Sequence, residues 1–533
     1  MYYNASMSSQ RSLAQSFLIA VPIAAIAGVL AFWRTYHVQA WLVDLGLYFD
    51  CAYRISLGEV PYRDFFIVTA PMTYAVLGLL MKVFGPFYLV SRIYVAAQCA
   101  LLVAVTYLFC ERSLKLGKAR SSALAVFQMI WAPQMMVGVI WYDNDATFLI
   151  LLAGIFLLRA WSLPNGARWS FLGGMSCGLA FWFKQDSGAG AVAGGLAAVT
   201  LMAWENRSAR RHWLTFAAGV AAVFSAAVLY FLAHGAIQDM IFWTVRRALQ
   251  FKGVTGSERT LEQAGSGGGF LSMLLSPFTT NVDHSSKFVL LLYCLAPAGA
   301  WYRFRLTRDR REAALAAAAL LWAISFYAGL CTHAGQGYTN KVATLAIILG
   351  ILWRSWPQNA PALLRARWLA PAFGLFVAAI GLRGLRYQKN FIPAGPTVPL
   401  ESPRIAGLRV PESLKPLDAL IAYIERNVKP NEDFLIFDQI IVYFAAQRKN
   451  PHPVTDPNAT RADDEAVILE SLKRRPNIRW YFYLGGPKDF AKELAFGHGR
   501  QLQLDKVSAY VKDNFRFLES RDGFTVWVRK DGA

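Results

Sequence analysis

Charge is scarce in this sequence, and negative charge is the scarcer kind: 17% of its 533 residues are charged, with 34 Asp and Glu against 54 Lys and Arg. So little charge cannot solvate the surface of a chain that is 55% hydrophobic, which excludes a soluble enzyme of this size and makes a bilayer the missing solvent. Paired cysteines are lacking too. The six cysteines, Cys51, Cys99, Cys110, Cys177, Cys294 and Cys331, form no CxxC pair and mostly lie in or beside apolar runs. They read as small core residues, not as metal or redox sites. Histidine is rare, at seven, and no HxxxH spacing occurs, so the zinc-hydrolase signature is absent.

The formal net charge of +20 would suggest nucleic acid in a soluble protein. Here the Lys and Arg residues cluster between apolar runs, which is the pattern of membrane topology and implies no nucleic-acid partner. The first run, about 12–33, ends in Phe32-Trp33-Arg34 with no small-residue cleavage site, and is expected to be a retained helix and not a signal peptide. Further runs follow near 86–110, 119–140, 145–161, 169–183, 187–204, 213–233, 286–302, 312–331, 339–355 and 367–385. The expected fold is therefore a polytopic α-helical membrane protein of about eleven transmembrane helices, with the short pair flanking Lys184 alternatively a re-entrant hairpin.

The basic connectors are ERSLKLGKAR (111–120), RSARRH (207–212), RFRLTRDRR (303–311) and RARW (365–368). The intervening WYDN (141–144) and THAGQGYTN (332–340) carry no Lys or Arg. This alternation predicts a cytoplasmic N-terminus in an inner, cytoplasmic membrane, with everything after about 386 periplasmic or extracellular. Two external loops are long, 34–85 and 235–285; the second holds DMIFWTVRRALQF (239–251), a candidate interfacial amphipathic helix, and the Gly-rich 265–270. From about 405 the hydropathy falls. FLIFD (434–438), WYFYL (480–484) and FTVWV (524–528) read as buried strands, and 413–428 and 505–515 have helical periodicity. The expected division is a transmembrane domain at 1–385 and a small external α/β extramembrane domain at 386–533.

Three polar sites fall at the same expected face. Asp44, in WLVDLGLYFD just past the first run, is partly desolvated among Trp41, Leu45 and Tyr48, which suits a base that takes a proton from a hydroxyl; an ordinary helix cap is the alternative. Asp143 and Asp145, two apart in an extended turn, would aim hard oxygen ligands at one magnesium or manganese ion; solvated loop aspartates are the alternative. Lys184, a lone cation between two apolar helices, needs either Asp186 or an anionic ligand to neutralise it. Arg63, Arg246, Arg247, His333 and Lys341 are further candidates for phosphate contact, or interfacial anchors.

The stretch DLGLYFDCAYRISLGEVPYRDFF, followed by APMTYAVLGLLMKVFG, resembles the GT-C superfamily of polytopic glycosyltransferases, particularly bacterial members related to protein O-mannosyltransferases and lipid A aminoarabinose transferases. The resemblance spans about 12–385 and includes the external C-terminal domain. It implies transfer of a sugar from a polyprenyl-phosphate donor to an acceptor hydroxyl, usually with inversion. Asp44 matches the catalytic acid of the first external loop, although Leu45 stands where relatives often carry a second acid. Asp143 and Asp145 match a later acidic motif facing the donor phosphate and a divalent metal. Lys184 falls where relatives carry a basic residue near the donor, and would hold the leaving phosphate with Arg63 or Lys341, beside His333 as the candidate read above from its position. A transporter or flippase of lipid-linked saccharides, or a polymerase or ligase of them, is the competing expectation; the absence of an internal repeat and the one-sided acids favour the enzyme.

Overall fold

The computed structural model describes residues 2–34, 42–132, 140–163, 166–205, 210–247, 284–332, 343–355, 396–437, 439–453, 464–485, 502–503 and 505–530, with short pieces at 374–375, 378–379, 382, 385 and 495–496. The helices, in chain order, are α1 (Tyr2–Arg34), α2 (Leu42–Ser56), α3 (Met72–Phe84), α4 (Tyr88–Leu108), α5 (Lys118–Ile130), α6 (Tyr142–Ser162), α7 (Gly166–Phe183), α8 (Gln185–Glu205), α9 (Arg210–Ala233) and α10 (Ile237–Ile241), the last continued by a π turn over Phe242–Arg247. Then come α11 (His284–Thr307), α12 (Arg310–Thr332), α13 (Leu345–Ser355), α14 (Pro416–Asn427), α15 (Ile441–Ala445), α16 (Glu465–Lys473) and α17 (Asp505–Asn514).

The protein is a polytopic membrane protein. Among the described residues six helices are long and apolar enough to cross a bilayer, within α1, α4 with its π-helical extension to Ser113, α6, α8, α9 and α12. Helices α5, α7, α11 and α13 occupy four more of the eleven expected runs, but α5 and α13 have only 13 and 11 residues and α11 contains Pro297. The run at 367–385 lies almost wholly outside the described residues. At about 1.5 Å per residue, α7 and α8 extend roughly 27 and 31 Å.

The chain divides into two compact units: Met1–Arg34 with Tyr94–Tyr230 and Lys252–Phe391, and Thr35–Ile93 with Phe231–Phe251 and Ile392–Ala533. The first is helical throughout its described residues, and small side chains hold it together. Ala313 to Ala319 of α12 are all buried, and Gly190 and Gly194 of α8 face the stretch of α12 that follows them, from Leu321 to Ala328. A Cβ on Gly190 would lie 2.5 Å from Cβ of Ala328, and one on Gly194 2.9 Å from the Leu321 backbone, so the two helices touch backbone to backbone. Lipid gives helices no hydrophobic reason to associate, and such close approach supplies the dispersion contacts instead. Trp322 fills the space beside Gly154 of α6, where its indole N–H donates to the Ile150 carbonyl at 3.0 Å. A small buried cavity lies there between Thr147, Ser187, Ser325 and Thr344.

The second unit is mixed. A four-stranded sheet, β3 (Asp433–Leu435), β4 (Ile478–Tyr483), β7 (Phe515–Arg521) and β8 (Phe524–Arg529), has the order β3-β4-β8-β7; the short strands β1 (Thr397–Pro399) and β2 (Arg409–Pro411) pair with each other, as do β5 (Ala495–Phe496) and β6 (Leu502–Gln503). β3 and β4 are parallel, and the other pairings are antiparallel, with Tyr481 opposite Trp527. One face packs Leu435, Phe437 and Tyr481 against Ile468 and Leu472 of α16 and Val507 and Val511 of α17. In α14, Leu417, Leu420, Ile421 and Ile424 recur at helical spacing and are buried. The three expected strands and both expected helices lie at these places.

The segment expected as a long loop at 34–85 contains α2 and α3. Residues 45–54 are buried on nearly every side, so no polar stripe betrays the helix in the sequence. Of the expected loop at 235–285, residues 237–247 are helical, 284–285 open α11, and 248–283 lie outside the described residues. The amphipathic reading of 239–251 holds in part: Trp243 stacks on Phe66 at 4.6 Å and Arg247 pairs with Asp464 inside the unit, while Ile241 and Val245 stay exposed.

Candidate active site

Lys184 is the single residue between α7 and α8. Its N–H completes α7 by donating to the Ala180 carbonyl at 2.8 Å, and its own carbonyl accepts the Gly188 N–H at 2.9 Å to begin α8. The chain thus reverses at a buried cation. Asp143 meets it from the first turn of α6, with 3.8 Å between Lys184 Nζ and Asp143 Oδ2. The Trp141 indole N–H donates to the same oxygen at 2.8 Å, and the Tyr142 ring lies 4.1 Å from the ammonium. On the following residues, Asp186 Oδ1 accepts the Ser187 N–H at 2.6 Å at the start of α8. A buried ammonium is tolerable only with such partners, because its desolvation otherwise costs several kcal/mol.

Asp145 occupies a different position. Its Oδ1 accepts from the Tyr94 hydroxyl at 2.6 Å and from the Gln98 amide, both on α4. The reason is geometric: residues 142–145 open a helix and are not an extended turn, so side chains two apart diverge by about 200°. The premise of one cation held by both carboxylates therefore fails. Among the described residues no group of three or more His, Cys, Asp or Glu could hold a metal ion. Three buried carboxylates among the described residues (Asp143, Asp145, Asp186) accompany the Lys184 ammonium, and neutral donors from Trp141, Tyr94, Gln98 and Ser187 serve them. This donor set does not fit a shared magnesium or manganese, and no step below is routed through one.

In the mixed unit, Asp44 lies half-buried in the first turn of α2, where the positive end of the helix dipole favours a carboxylate. Leu45, Leu47 and Tyr48 beside it are buried. Arg63 grips Asp64 through Nε and Nη2, both at 2.9 Å, and donates from Nη1 to the His234 carbonyl at 2.8 Å. Asp64 in turn accepts the Val60 N–H at 2.7 Å. Partial burial opposes its ionisation, but these bonds and the Arg63 and Arg54 charges outweigh that and hold the carboxyl below its usual range. The PYRDF stretch is thus a braced turn, with Tyr62 in the left-handed region at φ 71°. Arg247 is buried against Asp464, and Arg246 is exposed. His333 and Lys341 lie outside the described residues.

The structure therefore brings Lys184 together with Asp143 and sets Asp145 beside α4, within the helical unit, while Asp44 and Arg63 belong to the mixed unit. Sequence reasoning missed Tyr94, Gln98 and Tyr142. A signal was present, since Tyr94 and Gln98 are polar at i and i+4 in a largely apolar span, which is costly unless they meet a partner.

By sequence the chain matches no protein-family model and no curated protein. By structure it is similar to ArnT from Cupriavidus metallidurans bound to undecaprenyl phosphate, with TM-score 0.53 and 13% identity over 96% of this chain and 98% of that one. The apo state of the same protein gives TM-score 0.51 at 14% identity, over 97% and 98%. An oligosaccharyltransferase from Archaeoglobus fulgidus, crystallised with zinc and sulfate, is more distant at TM-score 0.47, 13% identity and coverage of 95% and 73%. A likeness that spans nearly the whole of both chains shows that this protein shares the fold of ArnT.

Proposed function

We propose that the protein is a membrane glycosyltransferase that moves a sugar from a polyprenyl-phosphate carrier to an acceptor hydroxyl at the non-cytoplasmic face of the inner membrane. The observation that carries this reading is the end-to-end likeness to ArnT, a protein crystallised with undecaprenyl phosphate. The buried Lys184 supports it as a cation that could face a lipid phosphate.

In this reading the Asp44 carboxylate takes the proton of the acceptor hydroxyl as its oxygen attacks the anomeric carbon. A carbon–oxygen bond forms, the bond from the anomeric carbon to the phosphate oxygen breaks with its electron pair going to the phosphate, and the configuration inverts. The leaving polyprenyl phosphate gains charge as that bond breaks. Lys184 meets it, with Arg63, His333 and Lys341 as further candidate phosphate ligands. Asp143, Trp141 and Tyr142 fix the Lys184 ammonium so that no reorganisation is needed as charge grows. The acceptor, the choice of hexose or pentose, and a cytoplasmic N-terminus belong to the proposal and not to the fold.

The test is transfer by purified protein in lipid vesicles offered a panel of polyprenyl-phosphate sugars, with Asp44→Asn and Asp143→Asn alongside wild type. Turnover in wild type that Asp44→Asn abolishes while donor still binds supports the enzyme. Movement of the intact lipid-linked saccharide across the bilayer without transfer would replace it by a flippase.

A further inference from the structure

Helix α2 carries Asp44 at its start and is held from the far end of the sequence. Its backbone crosses the start of α15 so closely that a Cβ on Gly46 would lie 3.0 Å from the Ile441 nitrogen. Phe49 meets Phe444 at 4.6 Å between ring centroids, and Tyr53 meets the same ring edge-on at 6.0 Å. Polar contacts then fix the helix against the segment that follows α15. Asp50 Oδ2 accepts the side-chain amide N–H of Asn450 at 3.1 Å, and Arg54, one turn on, donates to the His452 carbonyl at 2.9 Å. Glu59 pairs with both Arg54 and Lys449, and the Phe66 N–H donates to the Pro453 carbonyl at 2.7 Å.

Apolar packing alone would let α2 slide or rotate by fractions of an ångström at little cost. Directional bonds to buried partners do not, because breaking one leaves a desolvated polar group. Asn450 is fully buried and uses both ends of its amide, donating to Asp50 and accepting the His452 N–H at 3.1 Å. It is the joint through which the C-terminal segment grips the helix.

We propose that Asn450 is a positioning residue, which acts through Asp50 to fix the rotation and height of α2 and thereby the Asp44 carboxylate at its N-terminus. The proposal rests on the reading of Asp44 as the base, and it gives the C-terminal region a role, that of holding the helix on which the base stands. A carboxyl and not an amide stands at position 50, and burial pushes it up to about 7, above its ordinary value; the nearby Arg54 charge and the Asn450 bond oppose the rise, and Glu59 adds to it. Tyr443 and His452 are the other ionisable side chains near it from the C-terminal segment.

The experiment uses the full chain in lipid vesicles and compares Asn450→Ala and the conservative Asp50→Asn with wild type. Steady-state transfer is measured across pH, and hydrogen exchange is followed in peptides covering 42–56. For Asn450→Ala we expect kcat to fall about ten- to a hundredfold, the range a displaced catalytic group gives, with donor KM within about twofold and faster exchange in α2. Asp50→Asn, which can still accept from Asn450, keeps kcat within about threefold and removes a step near neutral pH from the pH profile. Unchanged kcat and unchanged α2 exchange in Asn450→Ala would overturn the proposal, as would loss of kcat in Asp50→Asn equal to that in Asn450→Ala. If wild type turns over no donor, the glycosyltransferase reading fails and the positioning role with it; exchange in α2 then reads the clasp by itself.

Discussion

Two sites, one in each unit, bury an ionisable group in opposite ways. In the helical unit Lys184 is held charged by Asp143, with Trp141 and Tyr142 completing the surroundings, whereas in the mixed unit Asp50 meets an amide and its carboxyl rises to about 7. Their packing differs in parallel. Glycine and alanine bring α8 and α12 backbone to backbone, while α2 and α15 also interlock through aromatic rings, Phe49 and Tyr53 against Phe444. An ion pair suits a site that must keep a fixed charge ready for an anion. A carboxyl against an amide suits a joint whose role is direction, not charge.

The largest effect that would break this comparison is expected at Lys184. Lys184→Met leaves Asp143 buried beside a thioether, and removing one partner of a buried pair costs roughly 3–5 kcal/mol. Thermal unfolding in detergent should show that loss, and the double substitution Lys184→Met with Asp143→Asn should recover most of the stability without recovering donor binding. A double variant no better than the single one would mean that the pair does not act as a unit.

A smaller effect is expected from Gly190→Leu, whose side chain would enter the space of Ala328 and the Ser325 backbone. Overpacking of this kind costs about 1–3 kcal/mol, read as a lowered melting temperature, and Ala328→Gly in the same chain should return part of it. No change would show that α8 and α12 do not depend on small-residue contact.

The last effect, that of Asp50→Asn, is read in the pH dependence of stability and not at a single pH. The folded-state carboxyl is raised to about 7 from an ordinary 3.8, so the native state binds this proton more tightly than the unfolded chain does. The associated stability is present at low pH and is lost as pH rises from about 4 through about 7, on the order of 1 kcal/mol per pH unit. Wild type should therefore melt lower at about pH 8 than at about pH 5, and Asp50→Asn should flatten that slope. A slope unchanged by the substitution would remove Asp50 from the account.

Much of this architecture is legible along the chain. Apolar runs and basic connectors mark the helical unit, and FLIFD, WYFYL and FTVWV mark β3, β4 and β8, because each signal is local in sequence. Helix α2 is not legible, since contacts from residues four hundred positions away bury nearly all its sides and erase the stripe that would reveal it. The acids at 143 and 145 stand out in the sequence, but their geometry does not. Acidic residues at the head of an apolar run are a helix-start signal, and that signal forbids the extended turn assumed for a shared metal. Lys184 with Asp143, and Asp50 with Asn450, are tertiary pairs that no spacing announces.

The central claim is that Asp44 does chemistry while Lys184 holds the donor. It is tested most directly by measuring, in one reconstituted preparation, donor binding and single-turnover sugar transfer for wild type, Asp44→Asn and Lys184→Met. The account predicts that Asp44→Asn binds the polyprenyl-phosphate sugar as wild type does but transfers it about a thousandfold more slowly, within the range for loss of a general base. It predicts for Lys184→Met a primary loss of donor affinity. Transfer by Asp44→Asn at the wild-type rate would contradict it.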